Sequence, residues 1–452
     1  MQETDPIRER YLTKPLTGLI LRNSMPAVLS MLVMCLYQIV DGMFLGRKLG
    51  PEALASVNLL YPILVILIGL AVMIGVGGNA RIGVLLGAAD RHNAGRTLSL
   101  ILCLGTGLGV IGSLITFLAL PTIPSLLGAY GILADFATEY LTAILPFFTP
   151  LILSFILEQA TRNDGRPVFA TTVMVSTALL NILLDYLFIF PLDMGIRGAA
   201  IATGIANALA AAVFLARFGL KTLRQSQGLI LYSPGGGIRV LGKIAYNGSS
   251  EMMNELAGGV TTFLYNRTIL AMLGAMALAS FTIVQYLVII GMMLLIGLGT
   301  GSQPVIGYNH GAGITHRVRG TLKRLLAIGL VLGAVLFVLL QTQAGPITRL
   351  FIPHHPETLS ITIEISRFVS IALLFMPIGI ISSMFFTSLL KAGNSLILSI
   401  ARGFIFTVLG ILILPRFLGA TGIWLTPVLA EGLTGMLAIT LLARWYRNEG
   451  TR

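Results

Sequence analysis

The sequence predicts an all-α integral membrane protein with twelve transmembrane helices, arranged as two six-helix bundles that form a parallel internal repeat. Three observations predict this fold: a very apolar composition, apolar runs of membrane-spanning length, and an internal duplication. Of the 452 residues, 56% are hydrophobic and 11% are charged, and the mean hydropathy is +0.90. Soluble domains carry about 25% charged residues, so this chain lacks the polar side chains to cover a globule of its length.

The apolar runs predict helices because most of them reach or exceed the roughly 20 residues needed to cross about 30 Å of hydrocarbon. Breaks in hydrophobicity place twelve spans near residues 17–45, 52–80, 97–120, 134–157, 168–191, 196–219, 240–270, 276–303, 322–344, 358–390, 396–415 and 420–443. An even number of spans returns both termini to the same side of the membrane.

The basic residues predict the orientation of these spans. With both termini in the cytoplasm, 23 of the 30 Lys and Arg residues fall on the inner side, as the positive-inside rule describes. Topology and anionic lipid headgroups therefore account for the net charge of +12, and we expect no nucleic-acid partner. We expect a multi-pass monomer of the plasma (inner) membrane.

The duplication appears when the chain is shifted by 224 residues. The matches pair Leu49–Ala55 with Leu273–Ala279, Gly87-Ala88 with Gly311-Ala312, and Thr97-Leu98 with Thr321-Leu322. After a slip of four residues, Asp164-Gly165 pairs with Ala392-Gly393. The predicted organisation is an N-terminal lobe (1–220), a glycine-containing cytoplasmic linker that we expect to be flexible (221–238), and a C-terminal lobe (239–452). Parallel repeats of this kind enclose a site that rocking of the two lobes exposes alternately.

Ionisable residues inside spans are the candidates for function, because a charge at the bilayer centre costs roughly 2.5–3.5 kcal/mol. Asp41 lies in span 1, Asn181 and Asp185 lie one turn apart in span 5, and Thr203 lies in span 6. These oxygen ligands suit a hard cation such as Na⁺. Two close carboxylates sharing a proton is a second interpretation, and hydration near the membrane faces is a third.

Proline 26 lies inside span 1, fifteen residues before Asp41. Proline removes a backbone hydrogen bond and permits a kink. Pro26 could therefore let span 1 bend when the state of Asp41 changes, or it could mark a static kink.

The second half has its own acids in span 7, Glu251 and Glu255, of which Glu255 lies deeper. Four polar or aromatic residues could line a substrate cavity or serve helix packing: Tyr37, Gln38, Gln285 and Tyr286. Four other acids lie near span ends, where the sequence predicts no functional role: Glu139, Glu158, Glu364 and Glu431.

An enzyme is not indicated, since the spans contain no His/Asp pair and no HExxH or GxSxG motif. Cys35 and Cys103 each lie inside an apolar run and suggest neither a disulfide nor a metal site. We therefore expect no cofactor.

Ordered motifs along the whole chain resemble the multidrug and toxic compound extrusion (MATE) family. They are Pro26 followed by Asp41–Gly46, Leu49-Gly50 with Ala53–Ala55, Arg162–Pro167 after span 4, and Gln303–Ala312 after span 8. The resemblance implies a V-shaped pair of bundles around a central cavity, with drug or metabolite efflux driven by a sodium or proton gradient.

The resemblance also implies roles for particular residues. In relatives with the same first-half pattern, the sodium or proton site uses the residues matching Asp41, Asn181, Asp185 and Thr203, and bending at the proline matching Pro26 couples it to transport. Other members use acids in the second half, but residues 368–390 of span 10 contain no Asp or Glu. We therefore expect an antiporter that exports small organic, often cationic amphipathic, compounds in exchange for Na⁺ or H⁺. A lipid-linked oligosaccharide flippase of the same superfamily is the alternative.

Overall fold

The computed structural model describes residues 5–225, 228–351 and 356–450, and these residues are helical almost throughout. Its α-helices are α1 (Pro6–Thr13), α2 (Leu16–Leu49), α3 (Pro51–Gly87), α4 (Arg91–Ala119), α5 (Ile123–Leu126), α6 (Ile132–Ile144), α7 (Phe148–Asn163), α8 (Pro167–Ile189), α9 (Gly195–Leu223), α10 (Gly237–Gly311), α11 (Thr315–Phe351), α12 (Pro356–Ser388), α13 (Ala392–Ile400), α14 (Thr407–Leu418) and α15 (Ala420–Gly450). A 3₁₀ turn (Leu145–Phe147) joins α6 to α7, and a π-helical turn (Ala401–Phe406) joins α13 to α14.

Within the described residues, eleven helical segments are long and apolar enough to cross a membrane. They are Leu16–Leu49, Glu52–Gly87, Arg91–Ala119, Ile132–Asn163, Pro167–Ile189, Gly195–Leu223, Met276–Gly311, Thr315–Arg349, Leu359–Ser388, Ala392–Leu418 and Ala420–Glu449. They correspond to eleven of the twelve predicted spans, and several are longer than predicted. The remaining prediction, near 240–270, falls on the first arm of α10 (237–273), which contains Glu251, Glu255 and Arg267.

The backbone repeats itself at the same 224-residue offset as the sequence. Gly50, between α2 and α3, has φ 87° and ψ −177°, and Gly274, which breaks α10 into two arms, has φ 80° and ψ −178°. Only glycine adopts this region readily. Positive φ values also recur at Gly195 (58°) and Gly419 (57°), each beside the start of a long helix. The sequence match around Gly50 and Gly274 therefore reflects a backbone requirement shared by the two halves.

The predicted alignment of Gly165 with Gly393 is wrong. Gly165 has φ 73° just after α7, and the residue with the matching conformation just after α12 is Leu390, with φ 57°. Their offset is 225 residues, whereas Gly393 lies inside α13. The alignment was wrong because it matched glycine to glycine. In the second half, the residue with the left-handed backbone conformation after α12 is a leucine.

The two sequence halves meet through backbone contacts between α3 and α10. A Cβ atom at Gly248 would lie 1.9 Å from the carbonyl oxygen of Met73, and one at Gly77 would lie 2.1 Å from that of Ile244. Small residues permit such close approach in membrane helices, where packing replaces the hydrophobic effect as the driving force. At the end of α3, a Cβ atom at Gly87 would lie 2.3 Å from the carbonyl oxygen of Tyr308, near the end of α10. Helix α3 therefore contacts both arms of α10.

Helix α1 lies across both halves at this same end. Tyr11 stacks on Tyr308 at 4.5 Å between ring centroids, and burial raises the pKa of Tyr11 to about 12. Arg8 Nε donates to the carbonyl of Gly87 (2.9 Å), and Arg317 Nη2 donates to that of Lys14 (2.7 Å). The N-terminal segment thus ties the ends of α3 and α10 to the start of α11.

Part of the predicted linker contacts the first half. Asp164, 1% exposed, accepts from the backbone N–H of Leu229 (2.9 Å) and pairs with Arg217 and Lys221 (2.6 Å each). Leu229 is fully buried in the first-half core. Leu229 of the predicted linker therefore packs against the first half, while Ser233 and Pro234 beyond it are exposed, and the flexibility expected from the glycines stays a prediction.

Candidate cation site and its surroundings

The four predicted cation ligands lie on three neighbouring helices of the first half. Asp41 is on α2, Asn181 and Asp185 are one turn apart on α8, and Thr203 is on α9. Helix α8 packs against both α2 and α9. Asn181 Nδ2 lies 3.4 Å from Thr203 Oγ1, at the long end of hydrogen-bond range, and Asp41 is close enough to act electrostatically on Asp185. Packing therefore gathers residues that are separated by up to 162 positions in sequence.

Several oxygens of this group are buried and have no hydrogen-bond partner among the described residues. They are Asp41 Oδ1, Asn181 Oδ1 and both carboxylate oxygens of Asp185. Asn181 is 2% exposed and Asp185 is fully buried. Buried polar atoms are normally hydrogen-bonded, and a buried carboxylate without a partner is costly. Oxygen-only chemistry of this kind fits a hard cation or a shared proton.

A small cavity opens beside Asn181 and Thr203. Its volume is about 20 Å³, and it is lined by Met34, Tyr37, Met174, Thr177, Ala178, Asn181, Thr203, Ala206 and Asn207. Since one water needs roughly 10–15 Å³ on this measure, the cavity can hold a water or a small ion but not an organic compound. Tyr37 lines this cavity, and its predicted role in substrate binding stays a prediction.

The structure adds polar neighbours that the sequence analysis did not select. Asn207 Nδ2 donates to the carbonyl of Thr203 (2.9 Å), and its Oδ1 accepts from Ser154 (3.2 Å). The buried ring of Tyr140 is near enough to sense the charges of Asp41 and Asp185. Asn207 follows Thr203 by four residues, so helical spacing could have identified it. Nothing in the sequence linked Tyr140 to the site.

Helix α2 runs without interruption through Pro26. The carbonyl of Pro26 accepts a hydrogen bond from Thr171 Oγ1 on α8 (2.7 Å), and Ser30 Oγ donates to the same threonine (3.2 Å). Arg162 Nη2 donates to Ser30 (3.3 Å) and pairs with Glu158. Any bending of α2 at Pro26 would therefore change its contact with α8, the helix that carries Asp185.

Two of the acids near span ends form ion pairs inside the protein. Glu158 is 3% exposed and pairs with Arg162, and Glu431 is 6% exposed with Arg402 Nε 2.8 Å from its Oε1. These ion pairs are structural contacts, so the prediction that the two acids have no functional role stays untested. Residues 392–418, which include Arg402, contain no Asp or Glu. The acidic partner of Arg402 therefore comes from another helix, α15.

The second-half candidates are distributed over α10. Glu255 lies on the first arm facing α3: its Cβ is 3.9 Å from a Cβ built on Gly69, and its charge reaches Tyr61. Glu251 accepts from Asn254 Nδ2 (3.2 Å) and lies within electrostatic range of Arg402. Glu255 thus lies at the boundary between the two halves.

The other predicted cavity residues are partly or fully accessible. Gln285 is half-buried and Tyr286 is exposed, both on the second arm of α10, and Gln38 is exposed on α2. They are not among the residues that line the small cavity. Their role in substrate binding stays a prediction.

Known proteins resemble this chain over nearly its whole length. The MatE family model matches residues 26–187 and 260–415. The multidrug export protein MepA of Staphylococcus saprophyticus is 29% identical over 93% of this chain and 92% of its own length. MepA of Staphylococcus aureus is 28% identical over 95% and 94%.

Among solved structures, an outward-facing conformation of a multidrug resistance MATE family transporter superposes with a TM-score of 0.91. It covers 99% of both chains at 23% sequence identity. At this identity the similarity establishes the fold.

Proposed function

Because this chain belongs to the MatE family, we propose that it is a secondary active antiporter that exports small organic compounds in exchange for Na⁺ or H⁺. The similarity to two MepA multidrug export proteins supports multidrug efflux as the activity. The observation that carries ion coupling is the group of buried oxygens on Asp41, Asn181 and Asp185, which have no hydrogen-bond partner in the part of the chain that the structure describes.

The architecture in this proposal has twelve crossings. The first arm of α10 (237–273) is added to the eleven segments named above. With this even number of crossings, both termini lie on the cytoplasmic side. Residues 1–220 and 239–452 form the two bundles, joined through 221–238, and the functional unit is a monomer in the plasma membrane. The backbone contacts of α3 with α10 and the α1 bridge lie at the cytoplasmic end, which supports a V that opens outward.

The coupling step uses the first-half site. In the outward-open state an external cation enters between Asp41 and Asp185, with Asn181 and Thr203 as neutral ligands. Its charge removes the repulsion between the two carboxylates, which lets α2 approach α8 and displaces bound substrate. Each charge that moves down the membrane potential supplies roughly 2.3 kcal/mol per 100 mV, enough for about a 40-fold substrate gradient at one-for-one coupling.

The charge at the boundary between the halves supports organic cations as the substrate class. Glu255 is an acid at the boundary between the halves, and Tyr61 is near it. An acidic boundary favours organic cations, and it is unfavourable for the anionic phosphates of a lipid-linked oligosaccharide. Tyr37, Gln38, Gln285 and Tyr286 are the further residues that we propose for the substrate pathway.

The test is transport of a fluorescent organic cation in everted vesicles under separately imposed sodium and pH gradients. We expect one gradient to drive uptake by the wild type, and Asp41→Asn and Asp185→Asn to abolish the response. Glu52→Gln, which removes an acid at the start of α3, is the matched control. Full gradient-driven transport by both aspartate variants would exclude the proposed site, and no transport of any organic cation by the wild type would exclude the function.

A further inference from the structure

A second and larger cavity lies at the turn between α10 and α11, outside the transport pathway proposed above. Its volume is about 800 Å³, and its lining is Gly313, Ile314, Thr315, His316, Arg319, Gly320, Lys323 and Glu449. This size suits a small molecule or a lipid headgroup. We propose that this cavity binds the phosphate headgroup of an anionic membrane phospholipid.

The charge of the lining is positive. Arg319 and Lys323 face it from one side of α11, together with His316. The single acid, Glu449, has Lys391 Nζ 3.1 Å from its Oε1, so its charge is already balanced. The first turn of α11 contains no acidic residue, and the helix dipole adds positive potential there. The cavity therefore attracts an anion.

Arg319 is held in place by aromatic rings. Its guanidinium lies over Tyr446 (5.1 Å) and Trp445 (6.0 Å), and Nη2 donates to the carbonyl of Tyr446 (3.2 Å). Arg319 Nε and Trp445 Nε1 are buried without a hydrogen-bond partner among the described residues. An arginine that lines the cavity and is fixed in this way suits binding of a phosphate.

The shape of α11 favours a lipid over a free anion. Residues seven apart lie on one helix face, and the exposed stripe that contains His316 and Lys323 continues through Leu330, Val331 and Val338, which are 41%, 65% and 55% exposed. The stripe is basic at the membrane surface and apolar below it. A phospholipid has the same order, with its headgroup in the cavity and its acyl chain along the apolar residues.

The test measures lipid binding to the full chain by native mass spectrometry, with a second readout that locates the site. Phosphatidylglycerol, phosphatidylcholine and inorganic phosphate are titrated separately. The variant Arg319→Gln/Lys323→Gln removes two lining charges, and Arg444→Gln/Arg447→Gln removes two exposed charges from the same end of the protein outside the cavity. Because the chain has two tryptophans, Trp424→Phe leaves Trp445 as the sole fluorescent reporter beside Arg319.

We expect saturable binding of phosphatidylglycerol, little binding of phosphatidylcholine or phosphate, and a change in Trp445 emission on binding. At about 1 kcal/mol per basic residue, the lining variant should bind roughly 25-fold more weakly, and the surface variant nearly as the wild type. Equal loss of phosphatidylglycerol binding in both variants would mean that general surface charge binds the lipid, and this would overturn the proposal. Equal binding of phosphatidylcholine, equal binding of phosphate, or binding without a Trp445 response would each overturn the proposal. Monodisperse elution and native helical content confirm that the variants fold.

Discussion

The two halves of the chain share a backbone plan but differ in the surroundings of one buried acidic site in each half. In the first half, Asp41 and Asp185 lie near each other with carboxylate oxygens that have no partner among the described residues. In the second half, Glu431 Oε1 lies 2.8 Å from Arg402 Nε. Arg402 belongs to the π-helical turn that follows α13. At these two sites, the first half keeps carboxylate oxygens without a partner among the described residues, and the second half pairs its acid with an arginine.

The repeat makes this difference specific to positions. The 224-residue offset places Tyr265 where the first half has Asp41, and residues 409–411, which are Leu, Gly and Ile, where it has Asp185. Tyr265 is 3% exposed and stacks on Phe281. A duplicated scaffold can therefore keep its helix packing in both halves while only one half retains the oxygens of a cation site.

The largest expected difference concerns stability. Glu431→Gln removes the charge that pairs with Arg402, whose side chain is 20% exposed, and loss of one partner of such a pair costs about 3 kcal/mol, the lower end of the range for buried pairs. Asp185→Asn removes an unbalanced carboxylate and should leave the free energy of unfolding unchanged or raise it. Thermal and denaturant unfolding in detergent compare the two variants.

The double variant Arg402→Met/Glu431→Met is the matched control for this stability prediction. Because it removes both charges together, it should recover most of the loss seen in Glu431→Gln. Equal destabilisation by Glu431→Gln and Asp185→Asn would contradict the contrast between the halves.

The next effect is stabilisation by the coupling ion. An ion that binds only the folded state contributes about 2.7 kcal/mol at 100 times its Kd. We expect either Na⁺ or acidification to raise the midpoint of thermal unfolding of the wild type, and Asp41→Asn/Asp185→Asn to lose that response. Glu431→Gln should keep this rise in the unfolding midpoint, although its midpoint without the ion is lower. An unchanged rise in Asp41→Asn/Asp185→Asn would show that the ion binds elsewhere.

A smaller effect separates substrate binding from ion coupling. Glu255→Gln should raise KM for an organic cation about tenfold, the change expected from loss of roughly 1.4 kcal/mol of charge interaction, while transport still responds to the ion gradient. Asp41→Asn should lose the gradient response. Initial rates at several substrate concentrations, with and without the gradient, distinguish the two. A Glu255→Gln variant that loses coupling and keeps its KM would reverse the assignment.

The smallest effect is expected at Thr203. Thr203→Val removes a neutral oxygen while nearly keeping the volume, so ion affinity should fall about fivefold, in line with loss of about 1 kcal/mol per hydrogen-bond-like contact. Thr203→Ser keeps the hydroxyl and should bind the ion as the wild type does. The concentration of coupling ion at half-maximal transport measures both, and equal behaviour of the two variants would exclude the hydroxyl as a ligand.

Much of the fold was predictable because lipid imposes a simple rule on the chain. Eleven apolar runs became helices because backbone groups in hydrocarbon must pair within their own segment. The π-helical turn at Arg402 and the 3₁₀ turn at Leu145–Phe147 were not predicted, since both depend on neighbouring helices. The alignment of Gly165 with Gly393 was wrong because the sequence shows residue identity, whereas the repeat preserves backbone conformation, which Leu390 adopts in the second half.

By itself the sequence determined the membrane class, the spans, the 224-residue repeat and the candidates Asp41, Asn181, Asp185 and Thr203. Each of these follows from hydropathy, helical spacing or the cost of a charge in hydrocarbon, which are properties of a segment alone. Only the tertiary structure decided which acids are balanced: Glu158 and Glu431 pair with arginines, and Asp185 has no hydrogen-bond partner among the described residues. Charge balance depends on distances between helices, and hydropathy along the chain contains no information about those distances.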